Sequence, residues 1–413
     1  MTARTDVLSW AALVVVLAGC NGASSTGGVP AHPTYYENVA AIVQDHCVQC
    51  HSGHGIGPFA LTTYDQVKAV APAIKAATAS HTMPPFHVDG SGDCNTYKDA
   101  RLLTADEIAI LGKWSDGGAP AGDPNNAPPP PPSQAKLARV DSTLDPGAAY
   151  QPNTSESDDY RCFIVDPGIA TDKFLTAYEV HPGTPSEVHH VVLYSVDSAA
   201  EAAAAKNLDS SDPALGYTCF GGAMTGGGRT LAAWAPGTGA TLYPANTGIR
   251  VKAGQPMILQ VHYNKPTTTD RTTVDLTLED QVPLEAVITG AIDANLNLQP
   301  AQATEMATST AQIPPTSIPY RIWGVYPHMH KLGRTLRVDL TSGASDTCIV
   351  NVPDYNFSWQ QFYFYDQPIV VPPSATDALT ITCGYDTRGM TNTVHFGEGT
   401  ADEMCIAGLY ITL

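Results

Sequence analysis

Charge is scarce in this chain, and positive charge is scarcest. Only 15% of its 413 residues are charged, with 21 Lys and Arg against 40 Asp and Glu and a formal net charge of −19. A nucleic-acid partner is excluded, because its phosphates demand a basic footprint that so few cations do not supply; the acidity reads as a solubilising surface. Long apolar runs are also missing. The run from Val7 to Leu17 is too short to cross a bilayer. Amphipathic helical periodicity is sparse after the first third, whereas there are 35 Gly and 33 Pro. This pattern predicts several domains, mostly β and rich in turns.

What is present begins with an export signal. Arg4 and a short polar lead precede Val7 to Leu17, which suits a signal-peptide core, and Leu17-Ala18-Gly19-Cys20 resembles a bacterial lipobox. Residues 1–20 are therefore expected to be a lipoprotein signal peptide, with Cys20 the lipid-modified N-terminus. The plain alternative is an ordinary signal peptide with an incidental Cys. On the lipoprotein reading the chain is exported, periplasmic or at the cell surface, and held to a membrane by its lipid. Residues 21–33, rich in Gly and Ser, read as a flexible tether.

Residues 34–124 read as a small all-α domain. A helical pattern from Val39 to Val48 runs into Cys47-Val48-Gln49-Cys50-His51, the motif in which two thiols bond the haem vinyl groups and the His ligates iron. A zinc site would want a second paired cluster and a thioredoxin-like pair a βαβ context; neither follows. Met83 is the candidate for the opposite face of the haem, with His81 and His87 as rivals, and a Met ligand suits electron transfer. With helices expected at Tyr64 to Ala77 and Ala105 to Trp114, this stretch resembles small bacterial c-type cytochrome domains. Residues 125–145, with five consecutive prolines from Pro128 to Pro132, form a Pro-rich linker.

Beyond the linker the pattern turns β, with strands expected at Tyr160 to Val165, Thr176 to Val180, Glu187 to Tyr194, Leu259 to Asn264 and Leu379 to Asp386. His328 and His330, at i and i+2 in a β-like stretch, project from one face and can chelate a metal. His189 and His190 would face opposite sides of a regular strand. They can share an ion only at a bulge or strand end, or through different ring nitrogens. His262 reads equally as a core His, and Met404 as core packing.

Taken together, His189-His190, His262, His328-x-His330 and Glu403-Met404-Cys405 resemble, in order and context, the copper type II, ascorbate-dependent monooxygenases over roughly residues 146–413. The resemblance implies two all-β jelly-roll-like sandwiches, 146–285 and 286–413, facing across a solvent-filled cleft. It makes His189, His190 and His262 ligands of a first copper that relays an electron. It makes His328, His330 and Met404 catalytic, as ligands of a second copper that binds dioxygen and hydroxylates a C–H bond; a soft thioether favours the Cu(I) state that meets dioxygen. It also implies disulfides Cys383–Cys405 and Cys162–Cys219. Of nine cysteines, Cys94 and Cys348 then remain, and are expected to bridge the cytochrome to the second copper domain.

There are departures from the family pattern. Peptide-amidating members hold a peptide carboxylate with an Arg, a Tyr and an Asn where this chain has Tyr326, Gly408 and Ile406, so the substrate is expected to be a neutral or apolar small molecule. The expected cofactors are two copper ions and one haem c. The expected partners are O2, the substrate and an external donor, ascorbate-like or a redox protein, with the haem passing electrons singly to the first copper. The alternative is an exported haem and copper protein that transfers electrons or handles copper without oxygenase turnover, against which stands Met404, since a pure relay has no need of an open Cu(I) centre. A partner-binding module with structural coppers is the remaining alternative. His395, near Met404 in sequence, is expected at the surface or behind the ligands of the second site, with direct reach to that copper or its substrate as the alternative.

Overall fold

The computed structural model describes residues 28–413 except 54–56, 99, 130–135, 221, 237, 344, 358, 375 and 398–400. The expected signal peptide, Cys20 and the centre of the linker lie outside the described residues. Among the described residues no helix is long and apolar enough to cross a membrane.

The N-terminal segment is helical, as its pattern predicts. Thr63 and Thr104 each open a helix, Tyr64–Ala69 and Ala105–Asp116, with a capping box closed by Gln66 and Glu107. The helix expected from Tyr64 to Ala77 instead breaks at Val70 and restarts as Ala71–Ala79. Pro72 is the cause: it lacks an N–H and crowds the turn before it, so it fits only in the first turn of a new helix. The helices close over Val39, Val43, Val67 and Trp114, all fully buried.

A further helix, Ala199–Ser211, stands among the strands, capped by Ser198. Its alanine run has the highest intrinsic helix propensity and needs only a narrow buried contact, at Ala205.

Among the described residues, four sheets make up the rest. The largest, of nine strands, runs Ser142–Leu144, Thr273–Glu279, Lys173–His181, Thr247–Val251, Leu284–Ile292, Ile406–Thr412, Tyr320–His328 and Tyr363–Val371, with Thr241–Leu242 beside Lys173–His181. A five-stranded sheet containing Asp158–Val165, Met257–Asn264 and Val188–Ser195 encloses a first core with one half of it. A four-stranded sheet containing Gly333–Ser342 and Ala378–Tyr385 encloses a second core with the other half. Alternation of buried and half-buried residues along Thr273–Glu279 is the period-two signature of a strand packed on one face. Leu284–Ile292 pairs parallel with Thr247–Val251 and antiparallel with Ile406–Thr412, so a division at residue 285/286 falls inside one strand and the two sandwiches share a sheet.

All three expected disulfides are formed, Cys162–Cys219, Cys383–Cys405 and Cys94–Cys348. The last anchors an arm that leaves the helical domain and packs on the second sandwich. Asp89 N–H donates to Asn351 O at 2.7 Å, Lys98 N–H to Phe364 O at 2.8 Å, and Phe86 and Tyr97 pack edge-on against Tyr363. Replacing Cys94 and Cys348 with Ser is expected to destabilise this docking by roughly 2–5 kcal/mol, the usual range for a native disulfide. Hydrogen exchange would report it, as faster exchange at the Asp89 and Lys98 amides.

Candidate metal centres

The strand Val188–Ser195 departs from regular register between Val188 and His190 where it pairs with Met257–Asn264. That bulge at His189 turns both adjacent imidazoles to one side, the condition under which they can share an ion. His190 lies directly across from His262. The three Nδ1 atoms converge, with His189 and His190 3.3 Å apart, His189 and His262 3.1 Å, and His190 and His262 3.2 Å.

Tautomers follow from the groups behind them. His262 Nε2–H donates to Asp158 Oδ1 at 3.0 Å, which leaves a lone pair on Nδ1 facing the other two rings. Tyr160 stacks on the His262 ring at 4.0 Å and holds its plane. Burial, then repulsion from His262, pushes His189 down to about 3, and the same causes keep His190 well below its ordinary value. Neutral imidazole with a converging lone pair is the metal-ligating form, so this set fits a cation such as copper. Asp158 is desolvated by burial, yet hydrogen bonds from His262, Asn264 and Ser157 hold it below the carboxylate range.

The second set sits where Tyr320–His328 ends. The strand stops at His328, and His330 follows just beyond it, the two ring centroids 5.3 Å apart. His328 Nδ1–H donates to Gln360 Oε1 at 2.6 Å and His330 Nδ1–H to the Asp402 carbonyl at 3.0 Å, so both present Nε2. Burial, then the neighbouring His330, pushes His328 down to about 3. Met404, 4% exposed, lines the same cavity as both imidazoles. Two imidazoles and a thioether fit a soft, low-valent cation.

Glu403 ties this set together. Its carboxylate, fully buried, accepts from His330 N–H at 2.9 Å, Leu332 N–H at 2.6 Å and Met404 N–H at 3.2 Å. Burial raises its carboxyl to about 7 against those three donors. Glu403→Ala strands the donors, at about 1–3 kcal/mol for each buried N–H left without an acceptor, so a loss of several kcal/mol is expected in a denaturant melt.

The two sets share a wall. A cavity of about 170 Å³ is lined by His190 from the first set and by His328, His330 and Met404 from the second. Phe357 stands between the sets, stacked on His189 at 5.2 Å and 5.9 Å from His330. The shared sheet and the Phe357 loop draw the two sets onto this one cavity. Lys331 Nζ also crosses to Asp158 Oδ2 at 3.4 Å.

Models of both domains of one family match this stretch. The N-terminal domain of the copper type II ascorbate-dependent monooxygenases matches residues 148–270 and its C-terminal domain residues 286–412, together more than half of the chain. The chain belongs to this family.

Among its relatives are tyramine beta-hydroxylase of Caenorhabditis briggsae, 25% identical over 253 residues, and dopamine beta-hydroxylase of Canis lupus familiaris, 27% identical over 198 residues. Peptidyl-glycine alpha-amidating monooxygenase of Mus musculus is 25% identical over 268 residues. The matches cover 56%, 43% and 62% of this chain but only 40%, 31% and 25% of those relatives. The family's two halves fall on the two His sets. Tyr326, Ile406 and Gly408 all line the cavity.

The Cys47–His51 motif lies outside the family match. Burial, then Cys50, pushes the Cys47 thiol up to about 12, the opposite of a reactive redox thiolate. His51 Nδ1–H donates to Phe59 O at 2.9 Å, which leaves Nε2 for a metal, and both thiols are free. These three residues fit a covalent haem. Met83 is 37% exposed, and His87 donates from Nδ1 to Asp354 O at 2.9 Å, leaving a buried Nε2 with no hydrogen-bond partner. His81 is exposed, and His395 pairs through its strand with Asn297 while its carbonyl accepts from Glu403 N–H at 3.1 Å.

Sequence reading missed Asp158, Gln360, Phe357 and Lys331. None of the four carried a signal in the sequence, since each acts on a strand or loop far from it along the chain.

Proposed function

We propose that residues 146–413 form a copper monooxygenase that hydroxylates a C–H bond of a neutral, apolar small molecule. Cys47 and Cys50, with His51 and Met83, would hold a haem c, which would supply the electrons. The observation that carries this reading is the single cavity walled by both His sets and Met404, with no charged side chain among its described lining residues. Its volume is on the scale of cavities that accept a benzene-sized molecule.

Copper held by His189, His190 and His262 would supply an electron relay, and copper held by His328, His330 and Met404 the activation of dioxygen. The chain's own residues prepare both positions. Asp158 keeps the His262 Nε2 proton, so Nδ1 faces the site; Gln360 and the Asp402 carbonyl do the same for His328 and His330 in the opposite ring sense. Phe357, Phe362 and Tyr326 wall the cavity with rings, an apolar lining suited to an apolar substrate. Tyr326, Gly408 and Ile406 offer a substrate no cation to pair with, which selects against carboxylates.

The three disulfides suit an oxidising, exported location, and Cys20 would anchor the chain to a membrane through lipid. The electron source beyond the haem is an external donor, ascorbate-like or a redox protein. The test is to purify the chain without residues 1–20, quantify haem and copper, and follow oxygen uptake across apolar and aromatic substrates. Substrate-dependent uptake that scales with copper is expected. Full copper loading with no uptake on any substrate would favour a relay protein instead.

A further inference from the structure

Residues 86–101 carry the helical domain onto the second sandwich, with hydrogen bonds running to residues 348–364. Asn95 Nδ2–H donates to Ile349 O at 2.8 Å, and the Asp89, Lys98 and His87 bonds join the same face. Arg101 stands where this contact reaches the haem motif. One guanidinium nitrogen, Nη1, lies 3.5 Å from Oε1 of Gln49, the residue between Val48 and Cys50, and Nη2 donates to Gln361 Oε1 at 2.8 Å.

Gln361 is one peptide bond from Gln360, which is 2% exposed. Gln360 accepts from His328 Nδ1–H at 2.6 Å and from the Tyr326 hydroxyl at 3.2 Å, and donates to Phe357 O at 2.9 Å. A path thus runs from the Cys47–His51 motif through Gln49, Arg101, Gln361 and Gln360 to His328, its longest step the 3.5 Å between Arg101 Nη1 and Gln49 Oε1. The other end of the same loop is tied in as well, since Tyr355 bonds the Met329 backbone through its hydroxyl.

We propose that Arg101 is a positioning residue for electron entry: by joining Gln49 to Gln361 it holds the haem motif against the loop behind His328, so that the electron enters at the His328, His330 and Met404 set. This rests on the reading of Cys47, Cys50 and His51 as a haem site, and it redirects the electron from the first set, where the sequence alone had sent it. The step is a single electron transfer. A haem held by the Cys47–His51 motif would give up one electron and a copper held by the second set would take it up; no bond would form or break and no proton would move, and the external one-electron donor would restore the haem.

The test uses the full chain, carrying haem and copper, reduced anaerobically with a sub-stoichiometric one-electron donor. Haem reoxidation is followed optically while freeze-quenched samples report the two Cu(II) resonances, the second assigned by its change in Met404→Leu. Loss of the second resonance before the first is expected. Arg101→Ala is expected to slow haem reoxidation roughly tenfold, within the range of mutations along a coupling network. Gln361→Leu should do the same, and the double variant should be no slower than either, as for two partners of one interaction. The Cys94–Cys348 disulfide keeps the arm attached in each variant. Arg101→Lys, which keeps the charge but loses the planar fork, should recover only part of the rate. Earlier loss of the first resonance, or a wild-type rate in Arg101→Ala, would overturn the proposal and leave the haem and copper reading standing. Copper without covalent haem in the purified chain would overturn that reading, and the proposal with it.

Discussion

Met404→Leu lowers substrate-dependent oxygen uptake more than about 100-fold, while the first ligand set keeps its copper. Changes behind metal ligands already lose 10–100-fold in affinity or activity, so removing a ligand outright should lose more. Leucine is the decisive replacement because it conserves volume in a site where Met404 is 4% exposed, and such swaps usually lose under about 1.5 kcal/mol. Alanine would mix ligand loss with cavity formation, at about 2–5 kcal/mol for a buried Met. The backbone at this position is held independently of the side chain, by Glu403 at the N–H and by the Tyr385 hydroxyl, 3.0 Å from the carbonyl. An oxygen electrode and a thermal melt separate the effects: an intact melt with lost uptake is expected, and wild-type uptake in Met404→Leu would remove Met404 from the chemistry.

His262→Ala halves the copper retained after dialysis. His262 is fully buried between the Tyr160 ring, Asp158 and the other two imidazoles, and its removal takes away one of the three converging Nδ1 atoms. Two ligands from one bulged strand then remain, and the bulge has lost the cross-strand partner that His190 pairs with. Asp158→Asn should produce a milder form, with first-set affinity down by roughly 10–100-fold, because the amide can no longer fix the His262 tautomer as a carboxylate does. Metal analysis after dialysis checks both, and the second-set resonance should be unchanged in each. Full copper retention in His262→Ala would place the first copper elsewhere.

The parts of this site that were legible in sequence are those written locally. His328-x-His330 and Cys47-x-x-Cys50-His51 are close-range patterns, although the strand ends at His328 and His330 is held beyond it by Glu403 and Asp402. His189-His190 was legible as a condition, since adjacent residues share a face only at a bulge, and the register shift supplies it. The supporting residues were not legible. Asp158 serves His262 from 104 positions away, and Gln360 serves His328 from 32, and neither residue type is unusual where it stands. The shared sheet was hidden for a like reason: a parallel pairing of Thr247–Val251 with Leu284–Ile292 is set by crossover topology, which alternation along a single strand does not record. The arm at residues 86–98 looked like part of the helical domain, and Cys94 was its one sign of a distant partner.

Supplying the copper-loaded, reduced chain with isotopically labelled dioxygen and an apolar substrate, and reading the product by mass spectrometry, tests the central claim most directly. The account predicts one labelled oxygen atom in a hydroxylated product for each dioxygen consumed, with the label lost in Met404→Leu. Oxygen consumption that yields only reduced oxygen species and unlabelled substrate would contradict it.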